Sequence, residues 1–252
     1  NRCGLKYGGD LLLITQDGVQ PMAGALQSSR LNPRVSITDK IQKAVSDAVT
    51  NYGANFGWEL IDFPQANQLY LNVPVITGGQ EQYVMNTITK NWCKFSGWDA
   101  NCFAVFDDDL YFGSLGVVGK AWDTYADAGA SITGTAIQAF NYLGNRSQQK
   151  QFTMLRPTFF TSGAASVFGG VNVDFDTADI STTLQSVNPV GALWDTAVWD
   201  TDLWTTDLSA VAPWQGAQGI GYCCAPRIKA TVTGMRIEWA ASDIVFRRGG
   251  VL

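Results

Sequence analysis

The chain has 252 residues, of which 46% are hydrophobic and 15% charged, so it can bury the core of one large domain or two smaller ones. Aromatic residues make up 12% and glycine occurs 26 times, a composition typical of many short strands joined by tight turns. A net charge of −5 argues against a nucleic-acid grip, and the lack of histidine excludes histidine-dependent catalysis and the common zinc sites.

The first half of the chain reads as consecutive antiparallel hairpins. Within Trp92–Gly119, short aromatic and β-branched runs are cut repeatedly by turn residues, which is the pattern of strand, turn and strand. Three hairpin groups are predicted, at 5–22, 58–76 and 82–122. Their spacing resembles pieces of propeller blades, although no exact repeat is detectable.

One segment with helical spacing interrupts the hairpins. Its apolar residues recur every three or four positions, at Ile37, Ile41, Val45, Ala48, Val49 and Tyr52. Ser36 and Asp39 resemble a capping box, and Gly53 follows where a helix would end. An inserted amphipathic helix is therefore predicted at about 36–53.

Longer strands are predicted in the second half, at Ile132–Tyr142, Phe152–Thr161, Val167–Phe175, Arg227–Thr233 and Met235–Phe246. They indicate a β-sandwich or a long-stranded meander. The predicted fold class is all-β, with propeller-like hairpins at 1–129 and the long-stranded region at 130–252.

A tryptophan-rich segment lies within this second half. Its tryptophans recur every five residues, which fits neither the helical nor the strand period, so it is predicted to be a loop pinned by aromatic rings. Exposed tryptophan beside aspartate suits either a subunit contact or sugar stacking. The candidate interface or ligand contacts are Trp194, Trp199, Trp204, Asp195, Asp200 and Asp202.

Without histidine, hydrolytic chemistry would need two carboxylates at a fixed separation. The candidates are Glu59, Asp62, Asp107, Asp108, Asp109, Glu238 and Asp243, and nothing in the sequence marks any pair of them. Turn or surface positions are the preferred interpretation, and a calcium role for Asp107–Asp109 or for Asp174 and Asp176 is a minor alternative. Asp174 and Asp176 are expected on one solvent face of a strand. No catalytic residue, cofactor or metal is predicted.

The chain has five cysteines, so at least one thiol is unpaired within it. A bridge between Cys93 and Cys102 is possible if their strands are neighbours. The adjacent Cys223 and Cys224 are expected to alternate between core and surface. No transmembrane segment is predicted.

Several stretches together resemble the carboxy-terminal part of virion structural proteins of tailed bacteriophages. They are YGGDLLLITQDGVQPM (7–22), YGANFGWELIDFPQANQLYLNVPV (52–75), QYVMNTITKNWCKFSGWDANCFAVFDDDLYFGSLGVV (82–118), QFTMLRPTFF (151–160) and WDTAVWDTDLW (194–204). The family consists of propeller-bearing proteins of the tail tube, the nozzle or the head-to-tail region.

The resemblance implies a non-enzymatic part of the virion tail, made in the bacterial cytoplasm, that forms a ring of its own copies, a hexamer, beside other tail or portal-adaptor proteins. DNA would pass through its lumen only as cargo, and further blades would precede Asn1. The alternative is a receptor- or glycan-binding tail module, with or without carboxylate-based depolymerase activity.

Overall fold

In a computed structural model of the protein, residues 4–27, 35–76, 79–180, 198 and 208–249 are described. The predicted all-β class is confirmed, since the chain folds into several antiparallel sheets with little helix, whereas the propeller arrangement stays a prediction. Two compact units divide the chain, Asn1–Asp123 (the first unit) and Thr124–Leu252 (the second unit). The boundary predicted at 129/130 lies a few residues further along.

Three antiparallel sheets make up the first unit, and each pairs strands that are consecutive in sequence. The strands are β1 (Gly4–Tyr7), β2 (Asp10–Thr15) and β3 (Gly18–Pro21); β4 (Glu59–Phe63), β5 (Gln68–Ile76), β6 (Gly79–Asn86) and β7 (Trp92–Ser96); and β8 (Cys102–Phe106), β9 (Asp109–Ser114) and β10 (Val117–Lys120). Short hairpin connections explain why the turn residues of the sequence located these strands well.

The central sheet, β4 to β7, is buried on both faces. Leu69, Leu71 and Val73 of β5 point into one hydrophobic core, which helix α2 (Gln42–Tyr52) and the first sheet also line. Tyr70, between them in sequence, points into a second core shared with Phe103 of β8. Strand alternation thus gives β5 two apolar faces, which is why it reads as a nearly continuous apolar run.

The helix is shorter than predicted, and its capping box does not form. A 3₁₀ turn (Asp39–Ile41) precedes α2, and the helix begins without a side-chain cap. Ser36 instead donates its hydroxyl to the Val19 carbonyl of β3 (3.0 Å), and Thr38 accepts from the Val19 N–H (3.0 Å). The two hydroxyls therefore satisfy backbone groups of a strand rather than of a helix end.

A second, unpredicted helix, α1 (Met22–Gln27), follows β3 where the sequence was expected to continue as strand to Met22. The proline at the end of β3 lacks the N–H that would extend the ladder, which gives a physical reason for the strand to stop at Pro21. Residue Gly53 ends α2 with a φ of −57°, so it does not supply the left-handed conformation that the pattern suggested.

A buried amide network joins the central sheet to the segment before β8. Asn72 is fully buried, and its Nδ2 donates to the carbonyls of Gly57 (2.8 Å) and Ala100 (2.9 Å). The Asn72 Oδ1 accepts from Gln82 Nε2 (2.9 Å), which also donates to the Trp98 carbonyl (2.9 Å). Side chains of β5 and β6 therefore donate to backbone carbonyls of the segments before β4 and β8.

Two sheets form the second unit. The first has the order β11 (Ile132–Ile137), β16 (Cys224–Val232), β13 (Ser166–Val173). The second pairs β12 (Lys150–Thr161) with β14 (Ser209–Val211) and β15 (Gln215–Gly221) along one edge and with β17 (Ile237–Arg248) along the other. Phe159, Val167 and Ile228, which come from both sheets, share one core, so the unit is a sandwich.

The long strands were largely predicted, with differences at their ends. Strand β11 stops at Ile137 rather than Tyr142, and β13 stops at Val173 rather than Phe175. Strands β14 and β15 were missed, because β15 is rich in glycine and has few apolar residues to signal a strand.

We predict that Asn72→Asp destabilises the first unit by about 2–3 kcal/mol, because a carboxylate of nearly the same shape cannot donate to the Gly57 and Ala100 carbonyls. Urea unfolding, with hydrogen exchange of the β5 and β6 amides, measures the effect. Asn101→Asp is the matched control, since Asn101 uses its Oδ1 to accept from Gln80 Nε2 (3.1 Å) and Asp keeps that acceptor. Equal losses for the two variants would contradict the role given to Asn72.

Candidate functional site

The candidate residues of the predicted contact loop lie outside the part of the chain that the structure describes. This holds for Trp194, Trp199, Trp204, Asp195, Asp200 and Asp202. Their role in a subunit or sugar contact stays a prediction.

Three of the carboxylates considered for hydrolysis have structural partners. The buried Glu59 accepts from the Phe103 N–H (2.9 Å), which fixes β8 against β4. Asp243 accepts from both Nε (2.8 Å) and Nη2 (2.5 Å) of Arg156, and Glu238 pairs with Arg236. The contacts of Glu59 and Asp243 therefore join neighbouring strands, whereas the Glu238 pair lies at the start of β17.

Burial raises the pKa of Asp62 above its ordinary value, and the positive charge of Lys90 opposes this shift. A raised pKa is one requirement of a general acid.

The Asp107–Asp109 run forms the turn between β8 and β9, as predicted. Asp107 and Asp108 both have positive φ, at 50° and 64°, which is the backbone of a type I′ hairpin turn. Asp108 accepts from Gln65 Nε2 (2.6 Å), and Asp109 pairs with Lys120 (2.8 Å). Asp108 and Asp109 therefore tie this turn to a neighbouring turn and strand.

The second acidic group is not on a strand face as expected. Asp174 and Phe175 form a turn after β13, with φ of 47° and 65°, and the Asp176 N–H donates to the Val173 carbonyl (2.9 Å). The Asp174 carboxylate accepts from the N–H groups of Tyr222 (2.7 Å) and Cys223 (3.1 Å). These bonds hold a turn that non-glycine residues rarely adopt.

The cysteine predictions are both corrected. Cys93 and Cys102 are free thiols on strands of different sheets. Cys223 and Cys224 are both buried rather than alternating, because Cys223 lies just before β16 and does not follow the strand's alternation. Burial, together with the neighbouring Cys223, raises the pKa of the Cys224 thiol to about 11, so this thiol is protonated and unreactive at neutral pH.

A partly exposed aromatic group, which we call the surface aromatic cluster, was not predicted. It consists of Phe140, Tyr142 and Phe175, with Arg146 stacked on the Tyr142 ring at 4.8 Å. The Phe140 and Phe175 centroids are 4.9 Å apart, and Phe175 is 63% exposed. A flat aromatic face can stack on a ligand, and a neighbouring guanidinium can donate hydrogen bonds to the same ligand.

Segments that carry this cluster are anchored on one short stretch, Tyr222–Cys224. The Asn141 and Cys224 backbones exchange two hydrogen bonds (2.8 and 3.0 Å), and Asp174 binds the preceding two N–H groups. Gly221 is needed here, because a Cβ would lie 2.6 Å from an Asp174 carboxylate oxygen. The cluster thus has a rigid base.

Lys150 completes this base from inside the protein. Its ammonium is buried and donates to the carbonyls of Asn145 (2.6 Å), Gln148 (2.9 Å) and Tyr222 (3.1 Å). Three N–H donors meet three carbonyls, so the loop that carries Arg146 is fixed to the start of β12.

Sequence reasoning missed the cluster because it placed Phe140, Tyr142 and Phe175 inside strands, where aromatics usually fill a core. The available signal was the Asp174-Phe175 pair at a strand end, where aspartate is common in turns. Among the described residues, no three Asp, Glu or Cys side chains group as metal ligands, and no helix is long and apolar enough to cross a membrane.

No protein family matches this chain, and no curated protein matches it.

We predict that Lys150→Met lowers the free energy of unfolding of the second unit by about 3 kcal/mol, because three partly buried carbonyl hydrogen bonds lose their charged donor. Urea unfolding and faster hydrogen exchange in residues 145–150 report the change. Lys229→Met, at a partly exposed lysine of β16, is expected to change stability by no more than about 0.5 kcal/mol. A Lys150 variant as stable as this control would show that the ammonium does not hold the loop.

Proposed function

We propose that this protein is a structural component of a bacteriophage tail, in the nozzle, the tube or the head-to-tail region, and that it works by assembling with copies of itself. The resemblance of its motifs to such virion proteins is one support. The all-β fold with consecutive antiparallel hairpins is compatible with it.

The observation that carries the assembly proposal is the apolar surface of the β8–β10 sheet. Leu115, Val117 and Val118 are 79%, 61% and 78% exposed, at the turn before β10 and along it. Phe106, at the end of β8, is 73% exposed. Leu115, Val117 and Val118 lie close together in sequence at one end of the sheet, whereas Phe106 lies at the other end of β9. Exposed apolar residues along an edge strand are typical of a protein contact surface.

The described carboxylates Glu59, Asp109, Asp174, Glu238 and Asp243 support a structural role, since each binds a backbone N–H group or a basic side chain. In this proposal the copies form a ring, expected to be a hexamer, next to other tail or portal-adaptor proteins. DNA passes through the lumen without being gripped, and the net charge of −5 favours its passage by repulsion.

We expect the purified chain to form a discrete ring of several copies, which light scattering after size exclusion at two protein concentrations would detect. Val118→Thr should lower the ring fraction, because it replaces an exposed apolar edge side chain while keeping strand propensity. Ile88→Thr is the control, since Ile88 is similarly exposed (72%) but lies in the turn after β6. A strict monomer at both concentrations would contradict self-assembly by this chain.

A second candidate function is glycan binding, which the surface aromatic cluster favours. Phe175 is exposed and held in a rigid turn, as a stacking platform for a sugar ring requires. The cluster would serve a receptor-binding module of a tail in the same way.

For this candidate we expect Phe175→Ala to abolish oligosaccharide binding measured on a glycan array and by calorimetry. Phe56→Ala, at an exposed phenylalanine (74%) of the first unit, should leave binding unchanged. Absence of binding by the unmodified chain, or equal loss in both variants, would rule the candidate out.

A further inference from the structure

Strand β11 is an edge strand with unusual exposure. It pairs only with β16 among the described strands, and all six of its residues, Ile132 to Ile137, are exposed. The six are Ile, Thr, Gly, Thr, Ala and Ile, so the strand has no charge and no proline. An uncharged edge of this kind readily pairs with another strand.

Several other edge strands in the described part of the chain carry a residue that discourages such pairing. These residues are Lys6 in β1, Pro21 in β3, Lys94 in β7, Lys120 in β10 and Arg247 in β17. The edge strands β8, β13, β14 and β15 carry neither a charge nor a proline, but among the described edge strands only β11 is exposed at all of its residues. Lysine, other charges and proline are the usual protection of an exposed edge. The edge of β11 has no such protection.

The register identifies which backbone groups of β11 point outward. Gln138 donates to the Pro226 carbonyl (2.9 Å), so this pair is of the hydrogen-bonded type. Hydrogen-bonded and non-hydrogen-bonded pairs alternate along an antiparallel ladder. Even-numbered residues of β11 therefore bond to β16, and the N–H and C=O groups of Thr133, Thr135 and Ile137 face the open edge.

Side-chain contacts agree with this assignment. Thr133 and Thr231 hydroxyls lie 3.0 Å apart, and those of Ser131 and Thr233 lie 2.7 Å apart. Opposed side chains are closest in non-hydrogen-bonded pairs, which is the type assigned to the odd-numbered residues.

We propose that β11 pairs antiparallel with β11 of a second copy of this chain, with Thr135 facing Thr135 of the other copy on a two-fold axis. The outward N–H and C=O groups of one copy must bond to the outward groups of the other, so odd-numbered residues pair with odd-numbered residues. The register centred on Thr135 pairs Thr133 with Ile137 at both ends and uses all three outward residues. Cross-strand threonine pairs are favourable, and no like charges meet.

A second copy suits this edge better than a charged partner would. The chain as a whole carries a net charge of −5, which opposes self-association, and β11 is a stretch where two copies meet without charge repulsion. A six-residue ladder is smaller than the roughly 800 Å² per partner of a standard interface. We therefore expect a concentration-dependent dimer.

This contact specifies one interface of the self-assembly proposed above. It rests on that proposal only because both require copies of the chain to associate. A two-fold contact joins two copies and does not close a ring by itself, so the proposed ring needs a different, head-to-tail contact as well.

The test is a charge swap at the axis, followed by sedimentation equilibrium of the full chain. Thr135→Lys and Thr135→Glu should each weaken association by about tenfold or more, because like charges face each other, and an equal mixture should restore it. Gln151→Lys and Gln151→Glu are matched controls on β12, whose two edges are both paired. Lys229 lies opposite Thr135 on β16, so a new charge at position 135 also acts within the chain. Circular dichroism therefore checks that each variant is folded.

The outcomes separate the two proposals. An unmodified chain that associates, with Thr135 variants that associate equally well, overturns the β11 contact and leaves self-assembly standing. Weakening in both variants without rescue in the mixture overturns the two-fold register. A chain that is monomeric at every concentration overturns both proposals.

Discussion

The structure depends on how its backbone hydrogen-bonding groups are satisfied. Sheets of three or four strands leave many loop carbonyls and N–H groups without a ladder partner, and a buried group without a partner is costly. In the first unit, Asn72 and Gln82 satisfy the carbonyls of Gly57, Ala100 and Trp98. The contact between the central sheet and the segment before β8 depends on these amides.

The same constraint organises the second unit and leads to its open edge. Lys150 and Asp174 have complementary roles around Tyr222. The Lys150 ammonium donates to the Tyr222 carbonyl, and the Asp174 carboxylate accepts from the Tyr222 N–H. The turn carrying the exposed Phe175 is rigid for that reason. Strand β11 has no such side chain along its outer edge in the described residues, so satisfaction of its groups is left to water or to another chain.

Much of the fold could be predicted from the sequence because hairpins and alternating strands leave local signals. The β4–β5 and β8–β9 hairpins follow from turn residues between apolar runs. The predicted capping box at Ser36 does not form, because the Ser36 hydroxyl donates to a carbonyl of the distant strand β3 instead. Sequence spacing carries no information on such a contact. The surface aromatic cluster was not predicted for the same reason. Its members are brought together by contacts between distant segments, the Asn141–Cys224 bridge and the Asp174 turn.

Hydrogen exchange along β11 at low and high protein concentration tests the central claim most directly, because exchange reports each backbone N–H separately. The account predicts that the Gly134 and Ala136 amides are protected at both concentrations. Amides of Thr133, Thr135 and Ile137 should exchange freely when dilute and become protected when concentrated. Free exchange of these three amides at concentrations where the chain is associated would contradict it.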